Sequence, residues 1–188
     1  MAGAVSPRYL LSIPNILTLV RIVLTPLIAY ALLRARPEMA LLLLAAAGLS
    51  DLFDGAIARF FGQKTVVGAY LDPLADKLML VTVMVTLFHL GVVPLYLFIA
   101  VIFRDALIVL GAISYELVTH DLKMEPTLIS KATTAAQIIL LLLLILDMAR
   151  PVGGGLIGVA TWITFALTVA SGLHYLVVWT RKAVRATE

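Results

Sequence analysis

Long apolar runs, broken at short intervals by charged or turn-forming residues, dominate this chain. A helix crossing the hydrocarbon core needs about 20 mainly apolar residues. Six runs meet that description, at about 14–34, 39–61, 66–90, 93–118, 129–148 and 155–179. The pattern predicts an all-α integral membrane protein with six transmembrane helices, in a single domain over residues 1–188. Arg8, Tyr9 and the Pro14-Asn15 step mark a candidate short N-terminal interfacial helix before the first span. Six spans put both termini on one side. The segment 150–155, RPVGGG, reads as a turn on the opposite side, its glycines no more than turn formers.

Composition agrees with the pattern. The 188 residues are 62% hydrophobic and 13% charged, whereas a soluble domain is nearer half apolar and a quarter charged. The chain has no Cys, which excludes disulfides, thiolate metal sites and a catalytic thiol. Its net charge is +3, and the basic residues sit at loop ends rather than in a run, so no nucleic-acid partner is expected. With both ends in the cytoplasm, that side receives Arg8, Arg59, Lys64, Lys123, Lys131, Arg181, Lys182 and Arg185. The other side receives Arg34, Arg36 and Arg150, which fits the positive-inside rule. The first residues carry no Arg/Ser-rich presequence and no cleavage signal. The expected location is a bacterial inner membrane with the first helix retained.

Against this background four acids stand out: Asp51, Asp54, Asp72 and Asp76. One aspartate at the centre of a membrane helix costs about 3 kcal/mol. Asp51 and Asp54 are i,i+3 and Asp72 and Asp76 are i,i+4, so each pair shares a helix face. Carboxylate oxygens suit hard divalent cations, and two such pairs can hold a metal pair. Gly55, Ala58 and Gly68 leave room for close approach of a ligand. Arg59 supplies a planar fork for phosphate oxygens, and Lys64 and Lys77 lie near. Together these describe a pocket for a diphosphate, opening toward the cytoplasm. Ion paths, proton relays and internal salt bridges also place acids in membranes, but they need no such fixed register of Gly, Ala and Arg. His89, His120 and His174 have no metal-ligand company. Trp162, Trp179 and Tyr175 on the last run read as packing and interfacial anchors.

The motif Asp51-x₂-Asp54-Gly55-x₂-Ala58-Arg59-x₈-Gly68-x₃-Asp72-x₃-Asp76 resembles the complete signature of the CDP-alcohol phosphotransferase family. The resemblance implies integral membrane enzymes, often homodimers, that need Mg²⁺ or Mn²⁺. They transfer a phosphoryl-alcohol group from a CDP-linked donor to an acceptor hydroxyl and release CMP. It further implies that Asp51, Asp54, Asp72 and Asp76 bind a two-metal site, with Asp76 also the catalytic base. Asp51, Gly55, Ala58, Arg59 and Gly68 would shape the CDP-binding pocket.

Other segments bear on the acceptor. Ser12 to Asn15 with Thr18 and Arg21, the run Leu71 to Lys77, and Arg104-Asp105 are similar to the branch that makes phosphatidylglycerol phosphate and cardiolipin from CDP-diacylglycerol. So is Pro126 to Lys131 with Gln137. The phosphatidylglycerol phosphate synthases usually carry a second Arg about two turns after the Arg of the fourth helix; no second Arg follows Arg104. The resemblance therefore favours phosphatidylglycerol as acceptor, as in cardiolipin synthases, over glycerol-3-phosphate. Arg21, Arg104 and Lys131 are the acceptor-binding candidates. Each has another reading: Arg21 on an aspartate, Arg104 on Asp105 or Glu116, and Lys131 as a headgroup anchor.

Overall fold

The computed structural model describes residues 13–61, 66–119 and 127–186, with side chains over 18–50, 72, 74–111 and 127–178. Its helices are α1 (Ile13–Leu33), α2 (Pro37–Phe61), α3 (Val66–His89), α4 (Leu95–Thr119), α5 (Leu128–Ala149) and α6 (Gly154–Ala186). No strand occurs among the described residues. Each expected run falls on one helix, but α6 continues past 179 to Ala186. The expected interfacial helix lies in residues 1–12, outside the described residues.

Two helical stretches, Leu128–Ala149 and Gly154–Val178, are long and apolar enough to cross a membrane among the described residues. Thr18–Leu33 and Pro37–Ser50 are apolar but shorter.

The chain divides at Leu90 and Gly91 into two compact units. In the first, α1 packs against both α2 and α3. Thr18, Arg21, Thr25, Ile28 and Leu32 of α1 are buried, a three-four spacing that makes one stripe along a helix. The stripe is apolar toward the α1 C-terminus and polar toward its N-terminus. Ala40 and Ala47 of α2 are buried at 0% exposure, and small residues let two backbones approach closely. Leu19, Val23 and Leu27 face outward. Helix α1 ends on Ala35 at φ 52°, where the Arg36 amide bonds the Ala31 carbonyl at 2.9 Å. Pro37 then opens α2, the helix position where a missing N–H costs nothing.

In the second unit α6 packs against α4 and α5. The facing sides of α5 and α6 are polar. Ser130, Thr133 and Gln137 on α5 are buried, as are Thr161, Thr164, Thr168 and Ser171 on α6. Ile139 and Leu142 of α5, and Trp162, Ile163 and Leu173 of α6, are exposed. Leu140, Leu141, Leu144 and Ile145 complete the buried side of α5; buried hydroxyls beside exposed apolar side chains suit a hydrocarbon solvent, in which helices associate through small and hydroxyl residues. Thr133 Oγ1 donates to the Leu167 carbonyl at 3.1 Å, and Thr164 Oγ1 to the Ala136 carbonyl at 3.3 Å. Trp162 stacks on Tyr96 at 5.5 Å, and Tyr175 is buried.

The turn between α5 and α6 is shorter than expected, because α6 begins at Gly154. Asp147 accepts the Val152 amide at 2.8 Å, and Gly153 lies at φ 113°. A backbone there strongly favours glycine. Gly153 is thus more than a generic turn former, a correction to the sequence expectation.

Candidate functional site

The first unit brings together two of the four aspartates. Asp72 and Asp76 lie one turn apart on α3. Thr18 and Arg21 lie one turn apart on α1. Thr18 Oγ1 donates to Asp72 Oδ1, and Arg21 Nη1 donates to Asp76 Oδ1. The result is a ladder of two rungs between helices, each engaging one oxygen of a carboxylate. Arg21 has no exposed side-chain surface, while Asp76 is 47% exposed. The cation therefore reaches the carboxylate from the packed side, and part of the acid stays accessible. Of the two sequence readings for Arg21, the aspartate partner is the one the structure contains.

Asp51, Asp54, Gly55, Ala58 and Arg59 lie on α2 and Gly68 on α3; their side-chain surroundings fall outside the described residues. Among the described residues no group of three or more potential metal ligands gathers. The donor chemistry present still fits a hard cation. Two carboxylates share a helix face, and α1 fixes one oxygen of each, so their rotamers are set in advance.

The second unit holds Arg104, which is 4% exposed. A buried guanidinium must have its donors met and its charge balanced. Nη1 donates to Asp105 Oδ1 at 2.9 Å, Nε to Ser171 Oγ at 3.1 Å, and Nη2 to Ser130 Oγ at 2.6 Å. Three helices thus meet on one side chain. Thr127 caps α5 and accepts the Ser130 amide at 3.3 Å, which fixes the first turn carrying Ser130. Lys131 follows on the exposed side. Ser130, Lys131, Thr134, Ala135 and Ile138 line a shallow, open depression of about 350 Å³ along α5. Arg104 is therefore neutralised by its neighbour, and among the described residues Lys131 is the cation lining that depression. Sequence reasoning named Arg104 and Lys131 but missed Ser130 and Ser171 as their supports. A serine in an apolar helix gives little signal, except that Ser171 continues the spacing Thr161, Thr164, Thr168.

The family model for CDP-alcohol phosphatidyltransferase matches residues 11–170, which is most of the chain and includes every residue of the acidic motif. The chain belongs to this family. Members generally depend on a divalent metal. A Drosophila melanogaster protein named "Probable cardiolipin synthase (CMP-forming)" is 38% identical over 146 residues, 69% of this chain and 45% of that one. The Rattus norvegicus "Cardiolipin synthase (CMP-forming)" is 31% identical over 193 aligned residues, covering 93% of this chain and 63% of the rat protein. An Oryza sativa protein, "CDP-diacylglycerol--glycerol-3-phosphate 3-phosphatidyltransferase 1, chloroplastic", is 30% identical over 189 aligned residues, 88% of this chain and 56% of its own. The chain spans less than two thirds of the length of each of these relatives.

Proposed function

We propose that this CDP-alcohol phosphatidyltransferase domain makes cardiolipin. It would transfer a phosphatidyl group from CDP-diacylglycerol to phosphatidylglycerol and release CMP. The observation that carries this reading is the similarity to the rat cardiolipin synthase along 93% of the chain. The charge balance in the second unit supports it. Glycerol-3-phosphate presents a phosphate dianion, which calls for several uncompensated cations. Arg104 already has Asp105 against it, and among the described residues Lys131 is the cation beside the depression on α5, which suits the singly charged phosphodiester of phosphatidylglycerol better than a dianion.

In this reading Asp51, Asp54, Asp72 and Asp76 hold two divalent ions, Mg²⁺ or Mn²⁺. Bound there, the ions supply Lewis-acid stabilisation of the phosphate charge. Asp51, Gly55, Ala58, Arg59 and Gly68 form the CDP pocket, with the Arg59 guanidinium on phosphate oxygens. Asp76 takes the proton of the terminal hydroxyl of the phosphatidylglycerol headgroup. That oxygen forms a bond to the β-phosphorus of CDP-diacylglycerol, and the phosphoanhydride bond to CMP breaks, with the electron pair leaving on CMP. The proton passes from Asp76 to solvent. Arg104 and Lys131 are the candidates to orient the acceptor phosphodiester. Residues 1–188 act as one membrane domain with six spans, both ends and the active site on the cytoplasmic side of a bacterial inner membrane, assembled as a homodimer.

The test is a product assay on purified protein with CDP-diacylglycerol and Mg²⁺ or Mn²⁺, offering phosphatidylglycerol or glycerol-3-phosphate. Lipid mass spectrometry and CMP detection read it out. Cardiolipin formed only with phosphatidylglycerol is expected. Phosphatidylglycerol phosphate formed from glycerol-3-phosphate would overturn the choice of acceptor.

A further inference from the structure

We infer that Arg21 is the internal counter-cation of the acidic centre, a positioning residue that holds Asp76 when no divalent ion is bound. The inference rests on the metal-binding reading above and assigns to α1 a part in the centre that the acidic motif on α2 and α3 does not reveal.

An arginine in the middle of an apolar helix needs a counter-charge, and its presence there calls for a reason. The neighbours Leu19, Val20, Val23 and Leu24 are apolar, so α1 itself offers none. The reason lies on α3. Arg21, at 0% exposure, bonds Asp76, whose outer half remains accessible. One turn earlier Thr18, also at 0%, bonds Asp72 through a hydroxyl. The spacing of three on α1 matches the spacing of four on α3, so each acid meets one donor. Both donors approach from the packed side, and neither depends on a ligand being present. Two carboxylates one turn apart on α3 repel each other until a cation arrives. Arg21 supplies one positive charge in advance and keeps Asp76 in one rotamer. Thr18 supplies orientation without charge. A side chain committed to Asp76 and without exposed surface is poorly placed to grip an acceptor in solvent, so this role replaces acceptor contact for Arg21.

The test uses the full chain in detergent, with Mn²⁺ alone as probe. Two readouts apply: the thermal midpoint with and without Mn²⁺, and binding measured by loss of the free-Mn²⁺ paramagnetic resonance signal. Arg21→Met is expected to lower the midpoint without metal. It should bind Mn²⁺ at least as tightly as the parent, up to about tenfold tighter, because a cation touching the ligands has gone. The Mn²⁺-induced rise in midpoint should then exceed that of the parent. Arg21→Lys keeps the charge and should restore both readouts most of the way. Arg21→Met with Asp76→Asn removes both charges and should recover the metal-free midpoint. This double variant and Arg21→Lys decide the matter even if Arg21→Met does not fold. An unchanged midpoint in Arg21→Met, Mn²⁺ binding weakened more than about tenfold, or no recovery in the double variant would each overturn the role. Failure of the parent itself to bind Mn²⁺ would instead overturn the metal reading, and this inference with it. Neither readout depends on which acceptor is used.

Discussion

Replacing Ser171 by alanine isolates one arm of the Arg104 cage. Ser171 is fully buried, and its Oγ accepts from Arg104 Nε at 3.1 Å. Alanine removes that acceptor and little else. The Asp105 and Ser130 bonds remain, so the guanidinium keeps its counter-charge and loses one hydrogen bond in a place water does not reach. A hydrogen bond to a charged group is worth about 1.5–3 kcal/mol. For a chain of this size 1 kcal/mol corresponds to roughly 2–4 °C in melting midpoint, so a fall of roughly 3–12 °C is expected. The assay is thermal unfolding in detergent, paired with steady-state kinetics at varied phosphatidylglycerol and fixed CDP-diacylglycerol. If Arg104 orients the acceptor, KM for phosphatidylglycerol rises while KM for CDP-diacylglycerol holds. Ser171→Thr keeps a hydroxyl and should recover the acceptor KM. An unchanged midpoint would refute the bond, and a lowered midpoint with no change in acceptor KM would leave Ser171 a structural brace only.

Other expectations follow from single contacts. Asp76→Asn should abolish CMP release while the protein still elutes as a folded species; normal CMP release would sink the base assignment. Gly172→Ala should be neutral or stabilising by up to about 1 kcal/mol from helix propensity, because an added Cβ meets Arg104 Cβ and Cγ at 3.9 Å, ordinary contact. A lowered midpoint there would show that α4 and α6 pack more closely than described. Gly153→Ala should cost about 1 kcal/mol or more, since φ 113° disfavours a side chain although nothing lies within 4 Å of the new Cβ. A midpoint equal to the parent's would mean the turn relaxes freely.

What could be read from the sequence divides along a physical line. Helices were legible because long apolar runs admit few other structures, and the largest shift of an end came where a run merged into a polar tail, as α6 does beyond 179. The aspartates were legible because charge in such runs is costly and their spacing is periodic. The partners of the charges were less so. Arg21 carried two readings, and only packing brings out that its Nη1 donates to Asp76. The bonds of Ser130 and Ser171 to Arg104 were not legible because a hydroxyl in an apolar helix commonly bonds its own backbone, and nothing local distinguishes one that bonds a neighbour. Gly153 looked like its two companions until the backbone angle separated them.

The hydroxyls of the α5 and α6 seam bear on how these helices enter a bilayer. Thr161 donates to Ile157, Thr168 to Thr164, and Thr134 to Ser130, each to a carbonyl four residues back on its own helix. Such groups are satisfied before any partner arrives. These three hydroxyls therefore add little polar cost to α5 and α6 taken singly, whereas Thr164 finds its acceptor only on the neighbouring helix. Helix α4 differs. Arg104 shares its charge with the next residue, Asp105, but two of its other acceptors stand on helices synthesised later. Until α6 is made, the buried guanidinium of α4 lacks the acceptor for its Nε, and Ser171 supplies it.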